Sequence, residues 1–235
     1  MQEPGHAQRR AMRPLADMGE AYHYAKKDHV VLALIASKST FGIGSSVVSQ
    51  LPVLATGVYH WKDGGIGLLL AGRGVGAGLG PVLGQRMTKG NLPRVLKVCG
   101  YSGLMFGLCY AGGAWSPSIF LAAFFIALGH LGGGAQWTLS TYGLQMRTPD
   151  HIRGRVMAGD YAFVTLVMSV FGMLAGFTSE HVDVRWTLTI FAGAVTVAAI
   201  PYIVVTRRLI ARLESEAATS AAEPTSALAE NTAHS

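Results

Sequence analysis

The chain has 235 residues, of which 50% are hydrophobic and 14% charged, with a formal net charge of +6. A soluble domain of this length holds one or two apolar runs long enough to cross a bilayer; this chain holds six, and crossing about 30 Å of hydrocarbon takes roughly 20 apolar residues. The excess of basic residues requires no nucleic-acid partner, because it follows the pattern that orients helices in a membrane.

Residues 1–29 form a polar lead-in, 30–206 a six-helix transmembrane domain, and 207–235 a tail. In the lead-in, Leu15, Met18, Tyr22 and Ala25 recur at steps of three and four. That spacing predicts a short amphipathic helix lying along the cytoplasmic membrane face. No cleavable signal is visible, so the first span is expected to act as the insertion signal. The spans are read as Val30–Leu54, Gly65–Gly84, Val95–Ala114, Ser118–Ser140, Arg155–Phe177 and Trp186–Thr206. The tail carries few large apolar residues and is expected to be mostly disordered.

Basic residues cluster at alternate joints. Arg9, Arg10, Arg13, Lys26 and Lys27 precede the first span. Arg86, Lys89, Arg94 and Lys97 lie between the second and third, and Arg147, Arg153 and Arg155 between the fourth and fifth. Arg207, Arg208 and Arg212 follow the sixth, while the other joints hold only Lys62 and Arg185. Cytoplasmic loops retain Lys and Arg, so both termini are expected in the cytoplasm, with the chain multi-pass in the cell membrane. Three spans followed by three of opposite direction form an inverted 3+3 arrangement, which underlies many transporters.

Gly72, Gly76, Gly80 and Gly84 stand four apart on the second span. Such a ladder bares one helix face for close backbone packing. Gly74 and Gly78 are expected to widen that strip. The spacing fits neither a dinucleotide fingerprint nor a phosphate-binding loop. Cys99 and Cys109 share one span and read as buried small hydrophobes, and no His/Cys cluster has zinc-ligand spacing. No metal or cofactor is expected.

Ionisable side chains inside a membrane are costly and usually face a water-filled path. Lys38, Arg73, His130 and Asp160 fall within four different spans. Lys38, Ser45 and Ser49 recur at steps of seven and four, as do His130, Trp137 and Thr141, giving two polar stripes. These seven positions, Arg73 included, are candidate cavity residues. Asp160 and His130 are candidate proton carriers, and Lys38 and Arg73 candidate contacts for anionic substrate groups. The blander readings are a local salt bridge from Asp160 to Arg153, Arg155 or Arg86, and snorkelling of Lys38 to lipid headgroups.

The chain resembles the carboxy-terminal half of a major facilitator superfamily transporter, nearest to the enterobactin-exporter-like, or transmembrane secretion effector, branch. Leu15-Ala16-Asp17-Met18-Gly19-Glu20-Ala21-Tyr22-His23-Tyr24 is similar to that group's central cytoplasmic segment. Gly67-Leu68-Leu69-Leu70-Ala71-Gly72-Arg73-Gly74-Val75-Gly76 is similar to its eighth helix. The stretch Leu144–Met157, with Arg147, Asp150, Arg153 and Arg155, resembles its turn between the tenth and eleventh helices. Those four residues and Arg86 are candidate cytoplasmic gate residues. Gly76-x-x-x-Gly80-Pro81-x-x-Gly84 resembles the antiporter Gly-Pro motif, and Gln85–Gly90 is a degenerate form of the basic gating loop, without an acidic residue.

The resemblance implies an all-α polytopic membrane protein whose six helices form one half of a twelve-helix fold. The first, second, fourth and fifth spans would line the cavity, and the third and sixth would be peripheral. It further implies gradient-driven efflux of siderophore- or drug-like small molecules, coupled to protons and partnered by a second six-helix half or a second copy. Two alternatives belong to other classes. One is a non-transporting membrane remnant or scaffold. The other is an intramembrane serine protease with Ser45 as nucleophile and His130 as base.

Overall fold

The computed structural model describes residues 14–233, with side chains described over 19–219. Arg9, Arg10 and Arg13, and the side chains of Leu15 and Met18, lie outside what is described. Helix α1 spans Pro14–Lys27. Asp28 then caps α2, His29–Ser45, accepting hydrogen bonds from the Val30 and Val31 amides. A 3₁₀ turn at Ser46–Gln50, the short α3 at Leu51–Val53 and a π turn at Leu54–Val58 carry the same rod onward. The remaining helices are α4 Asp63–Thr88, α5 Leu92–Ala114, α6 Ile119–Arg147, α7 Asp150–His181 and α8 Val184–Ala233.

Six of the rods, from His29–Val58 to Val184–Thr219, are long and apolar enough to cross a membrane. Five of the six expected spans fall inside a rod; the fourth starts one residue early, because Ser118 is the N-cap of α6. The rods run further at their polar ends, since nothing there stops helix propagation until a cap. Asn91 and Ser118 supply such caps through their side chains, and Lys89 in the left-handed region, followed by Gly90, ends α4. The tail differs from the expected disorder: α8 continues to Ala233. Its Ala- and Glu-rich sequence favours helix, and no Gly or Pro intervenes before Pro224.

Packing is uneven. α6 lies at the centre, against α4, α5 and α2, while α8 rests on α5 and α2. α7 touches α1, α2 and the 3₁₀ turn more than it touches α6. Only 17% of the apolar window of α4 and 11% of that of α7 is buried, against 67% for the first rod. Phe106 and Tyr110 of α5 are buried in the core of the six-helix body. In α1 the packed face carries Ala21 and Ala25, whereas Tyr22 points outward. A face of small side chains sits closer to α7 than the Tyr22 ring allows.

The glycine ladder of α4 meets the backbone of α6 step for step. A Cβ on Gly72 would stand 2.7 Å from the Ala123 carbonyl oxygen. One on Gly76 would run into the Ala127 carbonyl oxygen and one on Gly80 into that of Leu131. At Gly84 the neighbours are the Ala135 and Leu139 side chains at 3.0 Å. From the other side, Gly134 of α6 approaches the Ala77 carbonyl oxygen, which a Cβ would meet at 2.6 Å. Gly74 and Gly78 do not widen this strip; they face open space, because positions two residues off the ladder sit on the opposite face.

At the end away from the termini, the Tyr59 hydroxyl donates to the Ser116 carbonyl at 2.9 Å, and the Arg185 guanidinium lies over the Tyr59 and Trp115 rings. Partial burial pushes the Tyr59 phenol up, and the Arg185 charge partly offsets it. Trp115 also donates to Thr189 at 2.9 Å and meets Trp186 edge to face.

Candidate functional site

Lys38 and Asp160 pair with each other. The ammonium of Lys38, on α2, donates to Oδ2 of Asp160, on α7, and both side chains are fully buried. Lys38 also donates to the Thr141 hydroxyl on α6 at 3.0 Å, and its Nζ stands 5.0 Å from the centre of the Trp137 ring. Three helices therefore converge on one cation. Trp137 packs against Phe41 at 5.1 Å and meets Tyr161 edge to face at 5.6 Å. Tyr161 is itself exposed, so the pair lies one aromatic layer beneath the open face of α7.

This arrangement corrects both blander readings. Asp160 is not bridged to Arg153, Arg155 or Arg86, and Lys38 does not snorkel. The pairing answers a physical need, since each buried charge is too costly alone and a partner within reach offsets it. The carboxylate is only partly satisfied. Oδ1 of Asp160 is buried and has no hydrogen-bond partner among the described residues. A cavity of about 300 Å³ between α1, α2 and α7 reaches Asp160, past Ala21, Tyr22 and Phe163.

The other candidates separate from this cluster. Ser45 ends α2 half-buried, and Ser49 is exposed, its hydroxyl donating to the Ser46 carbonyl at 3.2 Å. The 3₁₀ turn between them is tighter than an α-helix, so the spacing of seven and four no longer holds one face. Arg73 is exposed on α4. His130 is buried, with Nδ1 3.2 Å from the Ile126 carbonyl oxygen and 3.3 Å from the Tyr110 hydroxyl. The carbonyl can only accept, so Nδ1 carries the proton; Nε2 is buried without a partner among the described residues. The Phe106 ring lies 5.3 Å from the imidazole and stacks on Tyr110 at 4.5 Å. Phe106 reaches this position through space left by glycines: a Cβ on Gly44 would meet its ring at 2.5 Å, and one on Gly133 at 3.4 Å. His130 thus has its partners on α5 and its own helix, and Ser45 is not one of them. The nucleophile–base pair of a protease is not formed.

Sequence reasoning missed Gln136. Its buried amide donates to the Ser37 carbonyl and to the Thr40 hydroxyl at 2.7 Å, tying α6 to α2 within one turn of Lys38. The signal was a Gln in the middle of an apolar span, beside Trp137, a residue that must find partners when buried.

Two of the basic turn residues, Arg147 and Arg155, hold α1. Arg147 donates to Asp28 at 2.7 Å, and Tyr24 donates to the Arg147 carbonyl at 3.3 Å. Arg155 pairs with Glu20 of α1. Arg153 pairs with Asp150 at 2.6 Å within the first turn of α7 and donates to the Thr148 carbonyl at 3.1 Å. Arg86 is exposed at the end of α4.

No curated protein and no solved structure matches the chain at a significant level. The sequence does match the Major Facilitator Superfamily, over residues 32–232. That stretch takes in five of the bilayer-length rods whole, the first from its fourth residue, and both partners of the buried ion pair. The chain is a multi-pass, all-α membrane protein and belongs to the Major Facilitator Superfamily of small-molecule transporters.

Proposed function

We propose that this chain is the six-helix half of a gradient-driven exporter of small amphipathic molecules, siderophore- or drug-like. It works in the cell membrane with both termini cytoplasmic, paired with a second six-helix half or a second copy. The buried Lys38–Asp160 pair carries this reading. A pair that costs stability in hydrocarbon, joins two helices and leaves one carboxylate oxygen unsatisfied suits a coupling element better than a structural one. When a proton reaches the Asp160 carboxylate, the neutral acid no longer holds Lys38, and α2 and α7 are free to part. Loss of the proton restores the pair. Proton occupancy then biases which face of the membrane the cavity meets, as alternating access requires.

The bare outer faces of α4 and α7 support the second body. They carry exposed Val75, Leu79, Leu166, Met173 and Phe177. Arg73 on α4, and Lys38 once released, are placed to meet anionic groups of a substrate. His130 is better suited to packing than to proton transfer, since Phe106 and Tyr110 enclose it. Arg147 and Arg155 serve as gate residues by latching α1, with Asp150 and Arg153 shaping the first turn of α7; Arg86 stands apart from this latch.

The test is Asp160→Asn in the paired transporter, reconstituted in vesicles with a fluorescent amphipathic dye. Export should lose its dependence on an imposed proton gradient, while insertion and downhill dye movement persist. Undiminished gradient dependence would make the pair structural only.

A further inference from the structure

We propose that the groove between α2 and α8 is a binding site for an anionic phospholipid of the leaflet facing the termini. The groove is open, measures about 530 Å³, and is formed by these two helices alone. Leu32, Ala36 and Val205 make its apolar walls. His29, Arg208 and Arg212 stand at its terminal end. The lining on α2 runs from His29 to Ser39, ten residues or about 15 Å along the axis. Charge at one end and hydrocarbon along the rest is the division of a lipid molecule.

The rim is electrostatically one-sided. Arg208 and Arg212 are one turn apart on α8, both exposed, and neither has an ion-pair partner among the described residues. The nearby carboxylate of Asp28 is already engaged by the α2 amides and by Arg147. Glu214 is taken by Lys97 at 2.7 Å, and Glu216 stands a turn beyond Arg212 without pairing to it. Two guanidiniums in register present forked donors that match phosphate oxygens. A second transporter half is not the occupant favoured here, because no residue of α4 or α7 lines the groove. A zwitterionic lipid offers one phosphate already countered by its own cation, so only an anionic headgroup brings net negative charge to the two arginines.

The test uses the purified full chain in detergent, titrated separately with phosphatidylglycerol and phosphatidylcholine, and read by native mass spectrometry and thermal stability. Phosphatidylglycerol should be retained preferentially. A basic residue at the membrane surface is worth about fivefold in binding, so Arg208→Gln with Arg212→Gln should weaken phosphatidylglycerol about twenty-five-fold and phosphatidylcholine far less. Lys89→Gln with Arg94→Gln removes the same charge from the joint of α4 and α5 at the same end and should leave the preference intact. Equal losses from the two double variants would mean a diffuse field and overturn the proposal. Ala36→Leu, which narrows the groove with the arginines in place, should also reduce lipid retention; unchanged retention would overturn it. Glycerol 3-phosphate should stabilise far less than the lipid, and equal stabilisation would reduce the site to a phosphate site without an acyl chain.

Discussion

Adding a single methyl group to the glycine ladder should separate two otherwise equivalent substitutions by several kcal/mol. At Gly76 a Cβ would collide with the Ala127 carbonyl oxygen and stand 2.9 Å from the Leu131 amide nitrogen. Both obstacles are backbone of α6, which cannot rotate away as a side chain can. Relief requires α4 and α6 to part by on the order of 1 Å along their contact, and overpacking of this kind costs about 1–3 kcal/mol. Gly78 sits two residues on, with nothing within 4 Å of an added Cβ. There alanine gains helix propensity of up to about 1 kcal/mol without a clash. Gly76→Ala should therefore be roughly 2–4 kcal/mol less stable than Gly78→Ala, the overpacking cost and the propensity gain taken together. Reversible unfolding of the two purified variants in mixed micelles measures the difference. Equal stabilities, or a more stable Gly76→Ala, would show that α4 and α6 do not touch along this line. Gly103 of α5 is no neutral control, since a Cβ there would stand 3.1 Å from Ala199 and 3.2 Å from the Thr40 hydroxyl.

Removing one partner of the buried pair strands the other: Lys38→Met or Asp160→Asn alone should cost about 3–5 kcal/mol, and the double variant less than their sum, measured as an unfolding cycle in micelles. Purely additive losses would contradict a direct contact. His130→Ala should destabilise the chain, by opening a hole under Phe106 and Tyr110, yet leave proton dependence of dye export unchanged; loss of that dependence at wild-type expression would return His130 to the coupling site. Glu20→Gln removes a largely exposed partner of Arg155, so global stability should fall by no more than about 1 kcal/mol while proteolysis near α1 speeds up. Reporter fusions after Arg212 and within Tyr59–Asp63 should report opposite sides of the membrane, with the first cytoplasmic; matching signals would break the topology.

The membrane class and the six rods were legible because bilayer thickness dictates run length, which is a property of sequence alone. The ladder was legible because positions four apart share a helix face whatever the helix packs against. The site was legible only in part. Lys38, Trp137, Thr141 and Asp160 do come together, but the choice of Lys38 as the partner of Asp160 depends on how α2 and α7 cross, which no local pattern encodes. The stripe through Ser45 and Ser49 failed where the helix tightens at Ser46–Gln50. His130 lies on nearly the face of Trp137 by periodicity, yet Phe106 arrives from another helix through the gaps at Gly44 and Gly133. A ring entering from α5 is invisible to the spacing within α6. The exposed sides of α4 and α7 looked like ordinary spans in sequence, because lipid and a second protein body both favour apolar residues.

The most direct test is transport by the purified chain in vesicles, with and without a matching six-helix amino-terminal half. Under an inward proton gradient the paired chains should export an amphipathic dye, and the chain alone as a monomer should insert but export little or none. Export by a homodimer would change the partner and keep the mechanism. Full gradient-driven export by the isolated monomer would contradict it.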